Sequence, residues 1–343
     1  MKLMKSLVLG AAVVAFVLGC GGGGTSTSTP LTQSYVGTQQ PGDVWAWTLG
    51  ESTFSGSNET LGHSYAGSLE TLPSGFKLLT VESTTDPGAS VGGKAYALDL
   101  PGTCLLVKPV DGDGAIIATG QGANPTADAF DMNWVVIPRQ GYDHNTDDAF
   151  GTASFVRNDS GYHINIDFGR MNYGGGELEQ GSGADLALVD GRYVVSGEAM
   201  VFGLQRSGVF FGDNGPNAGG IIGMNRSSLA WSDVAAKSFN GMIVNSGRTN
   251  LGTMLPSSTP GVIDGFGLTT DEEISTGVGT GGNHIQLQLA QDFGGGLFAV
   301  DMIRSGAPNQ RCYFVGGTVG GKSMLFGFGG DGSDTYNVLM VEK

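Results

Sequence analysis

Polar and apolar positions alternate in short bursts along most of this chain. His163-Ile164-Asn165-Ile166-Asp167-Phe168 and His284-Ile285-Gln286-Leu287-Gln288-Leu289 switch character at every residue, the period of a strand with one wet and one dry face. Val44-Trp45-Ala46-Trp47 does the same, with both indoles on one side. Further strands are expected at 76–82, 94–100, 104–107, 115–118 and 133–138, then at 193–196, 209–211, 241–244, 297–303, 313–315, 324–328 and 336–341. Turn residues separate them, among them Asp111-Gly112-Asp113-Gly114 and the tight-turn pair Asn214-Gly215. No segment sustains a 3.6-residue period, and 231–237 offers at most a turn or two of helix. Many short strands with frequent turns predict an all-β protein, an antiparallel β-barrel or β-sandwich. Two β units are expected, at 39–145 and at the more Gly-rich 146–343, with a soft boundary in the polar stretch 139–148. Glycines inside apolar runs, as in 325–330, predict bulges or bent strands.

The first residues break this pattern. Lys2 and Lys5 precede an apolar run over 7–18, which is too short to span a bilayer as a mature helix. A basic start and a short apolar segment read as an export signal. Val17-Leu18-Gly19-Cys20 at its end resembles the lipobox of bacterial envelope lipoproteins. That resemblance implies a signal peptide at 1–19, cleavage before Cys20, and acylation of Cys20. More than one acyl chain is needed for stable anchoring. Residue 21 is Gly rather than Asp, which by the sorting pattern of that family implies the outer membrane. The Gly/Ser/Thr-rich segment after Cys20 reads as a flexible tether, giving a lipidated 20–38 ahead of the folded body.

Composition supports a folded body rather than low-complexity disorder. Gly makes up 61 of 343 residues, more than twice the usual share of about 7%. Yet 40% of residues are hydrophobic, enough for a sizeable core. The net charge of −15 argues against nucleic acid and against electrostatic attachment to anionic lipid. The lipobox resemblance implies that the membrane is reached through a lipid anchor, and the further partner expected is an unidentified protein or glycan.

With Cys20 assigned to lipid, Cys104 and Cys312 remain. An oxidising compartment would permit a disulfide between them; the alternative is two separate buried thiols. Three motifs match patterns of known chemistry. Gly316 to Ser323 fits the phosphate-loop spacing, but MLFGFGG after it cannot form the required helix. Gly88-Ala89-Ser90-Val91-Gly92 fits the nucleophile elbow, but lies in a polar loop between strands. The run from Gly329 to Asn337 fits one unit of a calcium-binding repeat, with Asp331 and Asp334 as candidate contacts, whereas such sites need stacked copies. The four histidines, 63, 144, 163 and 284, are scattered. The tryptophans, 45, 47, 134 and 231, could stack on sugars or pack in a core.

A fainter likeness lies at Gly208-Val209-Phe210-Phe211-Gly212 and Asn217-Ala218-Gly219-Gly220. This glycine–aromatic pattern resembles barrel domains of transferrin-binding-protein-like surface lipoproteins. The expected function is an outer-membrane-anchored, non-catalytic binding or scaffold body with no cofactor, since no nucleophile, base and orienting group share a plausible context. A secreted glycan-acting hydrolase with paired carboxylates and an envelope structural or adhesion protein are the alternatives.

Overall fold

A computed structural model describes residues 32–343, apart from 40–42, 111–115, 121–124, 139–141, 144–146, 171–177, 190–191, 196–200, 205–207, 214–219, 246–247, 281–283 and 332–333. Cys20 and the leader, both turn pairs named above, His144 and Asn217 to Gly219 lie outside the described residues.

The strands follow one another as antiparallel neighbours and close on themselves three times. Barrel 1 contains β1 (Gln33–Gln39), β2 (Asp43–Leu49), β3 (Thr53–Asn58), β4 (His63–Thr71), β5 (Lys77–Thr84), β6 (Lys94–Leu100), β7 (Cys104–Pro109) and β8 (Ile116–Gly120). Barrel 2 contains β9 (Ala129–Ile137), β10 (Asp148–Arg157), β11 (Gly161–Arg170), β12 (Glu179–Val189), β13 (Arg192–Val195), β14 (Val201–Leu204), β15 (Val209–Asp213) and β16 (Gly220–Asn225). After α1 (Trp231–Ala235), barrel 3 runs through β17 (Phe239–Asn245), β18 (Arg248–Pro256), β19 (Val262–Leu268), α2 (Asp271–Thr276), β20 (His284–Gly294), β21 (Leu297–Arg304), β22 (Gln310–Val319), β23 (Lys322–Asp331) and β24 (Asp334–Glu342). Closure comes from β1 pairing with β8, β16 with β9, and β17 with β24. Each barrel thereby removes the open sheet edges that promote aggregation.

The all-β, antiparallel barrel expectation holds, with three barrels where sequence suggests two units. The polar stretch 139–148 leads from β9 to β10 inside barrel 2 and separates nothing. Gln33 to Thr38, expected within the 20–38 segment, belong to β1.

Side-chain parity sorts the apolar residues into four cores. Inward residues of barrel 1 include Tyr35, Trp45, Trp47, Leu79, Leu105 and Val107. Barrel 2 is filled by Trp134, Phe155, Tyr162, Tyr193 and Phe210. Barrel 3 holds Phe298, Phe314 and Tyr336, and α1 places Trp231 against the two phenylalanine rings at 5.6 and 6.4 Å. The fourth cluster is made of outward-facing residues from all three barrels, such as Leu98, Leu106, Val135, Phe150, Tyr313 and Phe326. Phe150 stacks on Tyr313 with ring centroids 3.9 Å apart. Strands at this junction are buried on both faces, which is why they read as continuous apolar runs.

Polar contacts tie the junction down. Asn337 donates to the Val136 carbonyl at 2.8 Å, and Asn133 to that of Gly295 at 2.7 Å. Helix α2 links barrels 1 and 3: Tyr96 donates to Asp271 at 3.0 Å, and the Ser74 amide to the Ser275 carbonyl at 2.9 Å. The Glu273 carboxylate accepts from the hydroxyls and amides of Thr280 and Thr269 and from the Thr270 amide. These bonds hold its pKa down at about 2. Gly277 ends the helix at φ 72°, a left-handed cap that favours glycine. Among the described residues, no helix is long and apolar enough to cross a membrane.

Candidate functional site: an open cup in barrel 1

An eight-stranded barrel is just wide enough for its side chains to fill it or to leave room for one small ligand. Barrel 1 leaves room. A cavity of about 450 Å³ opens at the end where β1–β2, β3–β4, β5–β6 and β7–β8 are joined. Ligand pockets typically occupy about 300–1,000 Å³.

One wall is aromatic. Trp45 stacks on Trp47 at 5.6 Å and on Tyr65 at 5.4 Å. Phe54 continues the row 5.9 Å from Trp47. Gly56 sits directly across from Trp47 in the β2–β3 ladder. A Cβ there would lie 2.9 Å from the indole, so glycine is what lets the ring lie flat. The facing wall, from β5 to β8, is aliphatic: Leu79, Val81, Ala95, Val107 and Ile116.

Trp45 and Trp47 are 7% and 6% exposed, and neither indole N–H has a hydrogen-bond partner. The other two indoles are satisfied: Trp134 donates to the Thr152 carbonyl at 3.1 Å and Trp231 to that of Gly261 at 2.8 Å. Buried polar groups are rarely left unpaired, and these two donors belong to residues that line one cavity.

The floor is closed. Tyr35 donates to Asp99, which pairs with Lys77 at 3.0 Å. Burial and the adjacent carboxylate raise the Tyr35 pKa, keeping the phenol protonated. The mouth is polar and acidic, with apolar lips. Asp86 accepts from Tyr65 at 2.5 Å and from the Gly88 amide at 2.8 Å. These bonds lower its pKa, His63 at 3.6 Å adding to the effect. Asp43 accepts from Asn58 at 2.8 Å. Leu61, Val91 and Val110, at the mouth, are 57%, 69% and 40% exposed.

The remaining sequence candidates lie elsewhere. Ser90 of the elbow-like motif is in the loop between β5 and β6, with no helix after it and no hydrogen bond to His63. The phosphate-loop match is a β-hairpin from β22 to β23, in which the Ser323 amide donates to Glu342 at 2.7 Å. Asp331 and Asp334 pair in the backbone register at the ends of β23 and β24. Among the described residues, no three His, Cys, Asp or Glu gather as a metal site. The candidate disulfide is not formed. Cys104 and Cys312 are free and buried, Cys104 in the central cluster and Cys312 inside barrel 3. All four tryptophans point into barrels, so none offers an exposed platform for sugars. Sequence placed Trp45 and Trp47 on one face, but did not identify Tyr65, Asp86 or Asn58 as their neighbours.

No family model matches this chain. No curated protein matches it. Among solved structures, "The Structure of Intact Ap-TbpB (N and C lobes)" shows 9% identity, covering 92% of this chain and 77% of that one, with a TM-score of 0.23. A score that low establishes no common fold.

Proposed function

We propose that this chain is a non-catalytic binding protein of the bacterial outer membrane, anchored through acylated Cys20, whose first barrel holds a small, largely apolar ligand. The anchor rests on the Val17–Cys20 sequence. The observation that carries the binding reading is the open cup with two unpartnered indole N–H groups, beside barrels whose described interiors are packed with rings. β1 begins at the closed end, where Gln33 pairs with Leu49. That end lies opposite the mouth. Buried tryptophans and a cavity of about 450 Å³ favour a small molecule over a glycan chain.

The uncharged probe N-phenyl-1-naphthylamine should bind saturably, one per chain, with enhanced fluorescence. Ala95→Phe, which fills the aliphatic wall, should weaken this by more than about tenfold, a loss of about 1.4 kcal/mol, while circular dichroism stays unchanged. Unaltered probe binding in a folded Ala95→Phe variant would remove the cup as the ligand site.

A further inference from the structure

The cup also carries information about the charge of its ligand, and this step rests on the binding reading above. We infer that barrel 1 takes a flat, ring-bearing cation, an amine or quaternary ammonium on an aromatic body, and discriminates against carboxylates of the same size.

Shape comes first. The aromatic row lies on β2 to β4 and the aliphatic residues on β5 to β8. In a closed eight-stranded barrel these two sets of strands face each other. The space between them is a slot with one π wall, suited to a planar body that stacks on rings and packs against branched side chains.

Charge comes second. Asp43 and Asp86 border the opening. Asp86 is held ionised by Tyr65 and the Gly88 amide. Among the described lining residues Lys94 is the one cation, and it is exposed to water. The ring faces of Trp and Tyr carry negative potential, which attracts ammonium groups. The chain as a whole bears −15, so the wider field acts in the same direction.

The opposite polarity has one argument in its favour. The two free indole N–H groups could receive an anion pushed into the slot. A carboxylate there would lose its hydration for two neutral donors and no cation. Lys77 at the floor is already paired with Asp99 at 3.0 Å. Burying an uncompensated charge is strongly unfavourable, whereas a neutral ring body packs against the indoles without that penalty. The cationic end then remains at the mouth between the two aspartates.

The test uses the full chain and two probes with one body, 2-naphthylmethylamine and 2-naphthoate, titrated calorimetrically at low salt. The amine is expected to bind about tenfold or more tightly than the carboxylate, from cation–π and carboxylate attraction together. The ratio should shrink as ionic strength rises, and should fall toward unity in a folded Asp43→Asn/Asp86→Asn variant. Equal or tighter binding of 2-naphthoate overturns the charge assignment and leaves the cup standing. Binding of neither probe, together with no N-phenyl-1-naphthylamine signal, overturns the cup itself. A ratio unchanged by the double substitution overturns the role given to the two aspartates.

Discussion

Phe150→Ala is expected to remove about 3–5 kcal/mol of stability, the usual cost of deleting a fully buried phenylalanine ring. Phe150 belongs to barrel 2, yet its ring leaves that barrel and stacks on Tyr313 of barrel 3, with Phe293 5.7 Å away on the same surface. It is 0% exposed. Its loss would leave a void in the core shared by the three barrels, where no single barrel can relax to fill it. A urea denaturation midpoint should drop steeply, and barrels 2 and 3 should become more susceptible to proteolysis together. A loss below about 1 kcal/mol, the scale of a surface change, would mean that the barrels are stable separately and the shared core contributes little.

Gly67→Ala is expected to have the next largest effect, near the upper end of the roughly 1–3 kcal/mol typical of overpacking. At this point β4 shifts register against β5, from Ala66 opposite Ser83 to Gly67 opposite Val81. A Cβ on Gly67 would come 1.9 Å from the Thr80 carbonyl oxygen. Both neighbours are backbone, so the two strands must part. Tyr65 on β4 and Leu79 and Val81 on β5 line the cup, so ligand binding should fall along with stability. Gly56→Ala provides the contrast. The added methyl meets only the Trp47 ring, which can tilt, so binding should weaken while the melting temperature barely moves. If Gly67→Ala is as mild as Gly56→Ala, the bulge is not a close backbone approach.

Sequence patterning made the fold class legible because alternation survives wherever a strand has one face in water, as at 163–168 and 284–289. It also located many strands of the junction, since 104–107, 313–315 and 324–328 are apolar and bounded by turns. Their meaning was less accessible. A run buried on both faces looks the same whether it packs under a second sheet or against two other barrels, so the third closure went unseen. β3 and β4 were missed for the opposite reason. TFSGSN and HSYAGSLET carry mostly Ser and Thr outward, so they read as loop until the buried positions Phe54, Gly56 and Leu69 are known. α2 was missed because its six residues are too short for a helical period, although the Thr270–Glu273 capping pair was readable.

The candidate site was half visible. The spacing of Trp45 and Trp47 put them on one face, but whether that face looked into a full barrel or a hollow one depends on side chains far along the chain: Ala95, Val107 and Ile116. The phosphate-loop match lies in a β-hairpin and the elbow match in a loop between strands, in a chain where glycine is abundant and short glycine patterns recur by chance. The two cysteines show the same limit. Spacing cannot tell that one thiol faces outward from barrel 1 and the other inward in barrel 3, and it is this parity that keeps them apart.

The central claim is that barrel 1 is a receptive cup with two orphan indole donors. Four tryptophans give four indole N–H resonances in a ¹⁵N-labelled chain. On titration with N-phenyl-1-naphthylamine or 2-naphthylmethylamine, those of Trp45 and Trp47 should shift, while those of Trp134 and Trp231, already bonded to Thr152 and Gly261, should stay in place. Movement of the Trp134 or Trp231 signals with the other two unchanged would contradict the account.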